Sequence, residues 1–108
     1  MTTFYTQKAK DMNIEAISIK GVRWFSKTHG KTYHKAYVSA LIRGVWQELC
    51  QSEQTYGYDD HYIVTACQVL MDAGLIQAES EYGLSNYSIR KELNIETHTQ
   101  DVKRQKDM

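Results

Sequence analysis

The hydrophobic period of this chain changes near its middle. Thr32 to Ile42 alternates with a period of two, placing Ala36, Val38, Ala40 and Ile42 on one face and Tyr33, Lys35, Tyr37 and Ser39 on the other. Further on, Ile63, Ala66, Cys67, Leu70 and Ala73 recur at three- and four-residue spacing. The first pattern is a half-buried strand and the second a helix with one buried stripe. The two in succession predict an α+β fold: a three-stranded antiparallel meander with one main helix packed on one face, short extra helices and a C-terminal edge strand.

The strands are bounded by turn chemistry. Ile14 to Phe25 is rich in β-branched and aromatic residues, and its apolar parity shifts at Gly21, from Ile17 and Ile19 to Val22 and Trp24. A one-residue bulge at Gly21 would reconcile the two sets. Lys27 to Lys31 has hairpin length with Gly30 at positive φ, and Arg43-Gly44 predicts a tighter turn into a third strand, Val45 to Gln51. Asp59-Asp60 then offers an N-cap for a helix over Asp60 to Ala73, closed by Gly74. The core expected from these elements is Ile17, Ile19, Val22, Val38, Ile42, Leu49, Ile63, Ala66, Cys67 and Leu70.

The chain reads as one domain over residues 1 to 108, with no proline and no linker to divide it. Residues 1 to 13 suggest a weak helix or a disordered start without a strong cap, and 103 to 108 a frayed tail. Asn86 to Leu93 suggests a short helix stopped at Asn94, and Ile95 to Val102 a polar edge strand. No apolar run approaches the roughly 20 residues of a membrane-spanning helix, and the first 13 residues are too polar for a secretory signal, so a cytosolic protein without membrane contact is expected. Cys50 and Cys67 lie in apolar surroundings without a C-x-x-C spacing and read as reduced, packed thiols.

Thirteen basic and thirteen acidic residues cancel overall, yet they are segregated. Residues 16 to 47 carry six cations and no acid, and residues 48 to 89 carry seven acids and no Lys or Arg. One half of the middle is a cation and the other an anion, an arrangement that suits a partner with complementary patches, a second copy included. No metal site is expected, because His29, His34, His61, His98 and the two cysteines show no ligand spacing and the histidines read as surface or turn residues. No catalytic residue and no cofactor are expected either: Cys67 lies six residues after His61 on a helix, on another face, and no nucleophile elbow, P-loop or dinucleotide fingerprint occurs.

The hairpin carries the candidate site. Arg23, Lys27, Lys31 and Lys35 accompany Tyr33 and Tyr37, with Trp24 and His34 among them, and Tyr56 and Tyr58 form a second patch. Interleaved cations and aromatic rings fit a protein partner, for which tyrosines are favoured anchors. They also fit nucleic acid, through phosphate contacts and base stacking. The element order is similar to that of double-stranded-RNA-binding domains, but those open their last helix with a lysine cluster where this chain has Asp59-Asp60-His61, and a pI of about 6.9 lies well below that of a dedicated nucleic-acid binder. Nucleic acid is therefore the alternative, and sequestration of a small anionic nucleotide signal, without a phosphate-cradling glycine loop, a third reading.

The run Arg23-Trp24-Phe25-Ser26-Lys27-Thr28-His29-Gly30-Lys31-Thr32-Tyr33-His34, followed by Tyr56-Gly57-Tyr58-Asp59-Asp60-His61-Tyr62 and the basic tail Asp101 to Asp107, resembles a set of small bacteriophage-encoded proteins. These carry W-F-x-K-x-x-G-N-T-Y-H, Y-G-Y-x-D-x-Y and a D-V-x-R-x-K-D tail; Lys31 stands where they have the asparagine. The resemblance implies a phage origin, action in the host cytoplasm, and a non-catalytic accessory or anti-defence role in which the hairpin binds a host or bacterial defence protein.

Overall fold

A computed structural model describes residues 3–108. The chain is mixed α+β and runs β1 (Phe4–Tyr5), α1 (Gln7–Asp11), β2 (Ile14–Ser26), β3 (Lys31–Ile42), β4 (Val45–Gln51), β5 (Thr55–Tyr56), α2 (His61–Asp72), β6 (Ile76–Gln77), α3 (Tyr87–Glu92) and β7 (Ile95–Val102), ending in a single 3-10 turn at Gln105–Asp107. The main sheet has the order β4-β3-β2-β7, with β5 continuing alongside β3 beyond the end of β4. Among the described residues it therefore holds five strands rather than three, and β7 joins it parallel to β2, with Ile17 beside Ile95 and Trp24 beside Val102. A separate two-stranded ribbon pairs β1 with β6.

Helix α2 lies across one face of this sheet. Its stripe of Tyr62, Ile63, Ala66, Cys67 and Leu70 is buried against Ile17, Ile19, Ala36, Val38, Ala40 and Ile95. The Leu75 amide donates to the carbonyl of Leu70 at 3.0 Å, folding the chain back after Gly74, whose φ of +75° an L side chain rarely adopts. The start is less regular than expected. Asp60 makes no side-chain cap bond, because it sits at φ −94°, ψ 15° rather than in the extended conformation that aims a capping side chain at the first turn. Helix α1, by contrast, is capped: Thr6 Oγ1 accepts from the Ala9 amide at 3.3 Å.

Gly21 is not a bulge. The β2–β3 register runs without a break from Ala16/Leu41 to Ser26/Lys31, and the irregularity lies between Ile14 and Ala16. Gly21 instead shares the helix-facing parity of Ile17 and Ile19, and a Cβ there would stand 2.3 Å from Cγ of Tyr62. The missing side chain lets the tyrosine ring of the first α2 turn rest on the strand backbone. Val22 and Trp24 belong to the opposite face. Val22 is nevertheless only 5% exposed, because the segment after β7 crosses this face: Gln105 Nε2 donates to Gln54 Oε1 at 2.8 Å, and Asp107 and Met108 line one cavity with Lys20, Val22 and Tyr37. Ile42 and Leu49, expected in the core, pack at its margin half-buried.

Candidate binding face

The sheet face turned away from α2 collects most of the hairpin residues. Strand parity and register put Trp24 opposite Tyr33, Val22 opposite Lys35 and Lys20 opposite Tyr37. Tyr33 is in turn opposite Tyr56 of β5. The result is a row of three rings across three adjacent strands. Trp24 and Tyr33 stack with centroids 5.9 Å apart, and Tyr33 meets Tyr56 edge-on at 6.0 Å. Lys31 Nζ stands 5.4 Å above the Tyr56 ring, within cation–π range. Lys27 is exposed in the adjoining turn and Lys35 and Tyr37 continue the face, half-buried.

Two of the expected residues lie elsewhere. Arg23 has the parity of Gly21 and so points to the helix side, where its Nε and Nη2 bond both carboxylate oxygens of Asp101 on β7, at 2.7 and 3.2 Å, and Nη1 donates to the Asp59 carbonyl at 3.1 Å. It is a clamp between β2, β7 and the segment before α2, with one hydrogen bond from each of its three nitrogens. Tyr58 also falls on that side, beside Arg23, Phe25 and Asp101, with its ring exposed. Tyr56 and Tyr58 nevertheless line one further cavity together, with His61, Val64 and Tyr82. Gly57 between them is buried and admits no Cβ, since His61 and His34 ring carbons would lie 2.6 to 2.9 Å away.

His34 is the residue that sequence reasoning misplaced. It is 0% exposed, with the parity of Ala36 and Val38. Nδ1 lies 3.1 Å from the Gly57 carbonyl, which can only accept, so Nδ1 carries the proton and Nε2 accepts from the Thr65 hydroxyl at 2.6 Å. Burial, opposed by the Gly57 bond and reinforced by His61, holds its pKa below the ordinary histidine value, so the ring is neutral at pH 7. This chain of bonds ties β3, the Gly57 segment and α2 together. With both nitrogens satisfied and the ring enclosed, its chemistry here is structural. The two-residue parity with Ala36 was the available signal.

Burial pushes the thiols of Cys50 and Cys67 up, away from the reactive thiolate form, and both are free. Among the described residues no group of three or more His, Cys, Asp or Glu could hold a metal ion, and no helix is long and apolar enough to cross a membrane. Compared with protein-family models, with curated proteins and with solved structures, the chain matches none.

Proposed function

We propose that this is a non-catalytic binding module that presents the aromatic sheet face of its β2–β3 hairpin, beside the C-terminal segment, to a protein partner. The observation that supports this is the row Trp24–Tyr33–Tyr56 with Lys31 over its outer ring, flanked by Lys27, Lys35 and Tyr37. Aromatic rings backed by strands lose little conformational entropy on docking, and cations at their rim steer an acidic partner. Arg23 takes no part because Asp101 holds it, and Tyr58 extends the face past Tyr56 through the cavity the two share. The phage accessory or anti-defence role in a host cytoplasm, with a host or defence protein as the partner, rests on the resemblance of the hairpin and tail motifs. A Tyr33→Ala/Tyr56→Ala variant tests the face: capture from host lysate should lose its specific partner, and an unchanged set of captured proteins would refute the assignment.

Single-stranded nucleic acid is the second reading, favoured by the same stacked rings beside Lys31. It predicts a mobility shift with an oligonucleotide at low salt that weakens steeply as salt rises and further in Lys31→Ala/Lys35→Ala. No shift at low salt removes it.

A further inference from the structure

The two borders of the main sheet are built differently. β7 is guarded by charge, with the carboxylates of Glu96 and Asp101 along it. Charged side chains on a border strand deter pairing with another chain. β4 lacks that protection. Among the described residues it pairs on one side only, carries Glu48 as its one charge among V-W-Q-E-L-C-Q, has no lysine or proline, and leaves Val45 58% and Trp46 49% exposed.

The turn that starts β4 fixes which main-chain groups it offers. Arg43 and Gly44 both have positive φ, 52° and 79°, which makes a two-residue turn of the primed kind, whose flanking residues exchange both hydrogen bonds. Those residues are Ile42 and Val45. Pairing then alternates along an antiparallel ladder. Gln47 bonds inward to Ala40, while Trp46, opposite Leu41, and Glu48, opposite Ser39, turn their N–H and C=O groups away from β3. These two outward pairs of groups lie two residues apart on the regular stretch before the irregularity at Leu49.

We propose that β4 is a self-association edge, pairing antiparallel with the same strand of a second copy about a two-fold axis at Gln47. In this register Trp46 and the partner's Glu48 exchange both main-chain hydrogen bonds, and Glu48 and the partner's Trp46 do the same, so the four outward groups of each strand are satisfied. The two Gln47 side chains face each other across the axis, and no like charges stand directly opposite. The neighbouring registers are worse. One centred on Trp46 needs the Gly44 N–H, which already donates to Glu15 Oε2 at 3.3 Å. One centred on Glu48 sets two carboxylates against each other. A second copy is thus the occupant this strand is complementary to. The axis stands perpendicular to the sheet, so the product is one continuous sheet with the aromatic faces of both copies on the same side. An edge pairing of this length falls at the small end of specific interfaces, so association is expected at micromolar rather than nanomolar concentrations.

The register has a covalent test. Gln47 and its counterpart form a non-hydrogen-bonded antiparallel pair, with Cα atoms about 4.5 Å apart, inside the range a disulfide spans. In a Cys50→Ser background at tens of micromolar protein, Gln47→Cys should oxidise to a covalent dimer several-fold faster than Gln51→Cys, which this register places opposite the partner's Arg43. Sedimentation velocity of the unsubstituted protein should show a concentration-dependent dimer. Glu48→Pro removes an outward N–H while leaving the β3–β4 ladder, and should return the protein to monomer. Trp46→Lys, which sets a charge on the border, should do the same and serves if the proline variant does not fold. Equal oxidation rates at positions 47 and 51 would overturn the register, and a protein that stays monomeric through hundreds of micromolar would overturn the edge itself.

Discussion

Replacing Gly21 with alanine tests the packing of α2 on the sheet at its tightest point. The added Cβ would meet three carbons of the Tyr62 ring at 2.3, 2.6 and 2.7 Å, against the 3.5 to 4.0 Å at which carbon atoms rest. Tyr62 is buried among core residues on the first turn of α2, so the ring cannot swing into solvent without lifting that turn. Overpacking of this kind costs about 1–3 kcal/mol, and the distances put this site at the upper end. For a domain of this size a loss of about 3 kcal/mol lowers Tm by roughly 10 °C or more. Chemical denaturation of the single and double variants is the assay. Truncating Tyr62 to alanine should itself cost about 3–5 kcal/mol. If the clash is the mechanism, Gly21→Ala should then add little, leaving a coupling of about 2 kcal/mol or more between the two sites. Additive losses would show that Gly21 matters for its backbone freedom and not for the ring above it.

The remaining expectations concern protonation. His34 is held neutral in the folded protein but titrates near 6.5 when unfolded. The unfolded state therefore binds the extra proton first as pH falls; stability is full above about 6.5 and declines below it toward the folded value, by up to about 1.4 kcal/mol per pH unit for one proton. Urea melts between pH 5 and 8 should show this decline in the wild type and less of it in His34→Gln, and identical slopes would contradict the neutral, doubly bonded ring. Tyr5 behaves oppositely. Its hydroxyl donates to the Leu93 carbonyl at 2.6 Å and burial pushes its pKa up to about 12, so its contribution is complete below pH 10 and lost as pH rises through 12. Ultraviolet titration should find a late tyrosinate that is absent in Tyr5→Phe, and an unchanged late phase in that variant would refute the assignment.

What the sequence makes legible here is what depends on neighbours along the chain. The alternation of Ala36, Val38 and Ala40, the turns at Gly30 and Arg43-Gly44, the stripe from Ile63 to Leu70 and the left-handed stop at Asn94 are local patterns, and the structure contains them. What it hides depends on distant partners. The parity change at Gly21 looks like a bulge until Tyr62, 41 positions later, fills the space, and Val22 looks like core until the tail is seen to cross the other face. Arg23 reads as a free cation because Asp101 is remote in sequence, and His34 as a turn residue because its acceptor and donor, Gly57 and Thr65, belong to later segments.

The parallel seat of β7 bears on how this chain is made. β2, β3 and β4 are contiguous, and their ladder can close by local hairpins as soon as residues 14–51 are available, a process of microseconds to milliseconds. The other flank of β2 must wait for residues 95–102, brought back by a crossover through α2 and α3. During synthesis at about 5–20 residues per second, that leaves the eight residues from Ile17 to Trp24, Ile19 and Val22 among them, without a neighbour on one side for several seconds. In that interval a nascent chain meets its main risk of pairing with the wrong strand. The docking of β7, fastened by Arg23 on Asp101, ends that exposure and makes the last step of assembly the one most sensitive to delay.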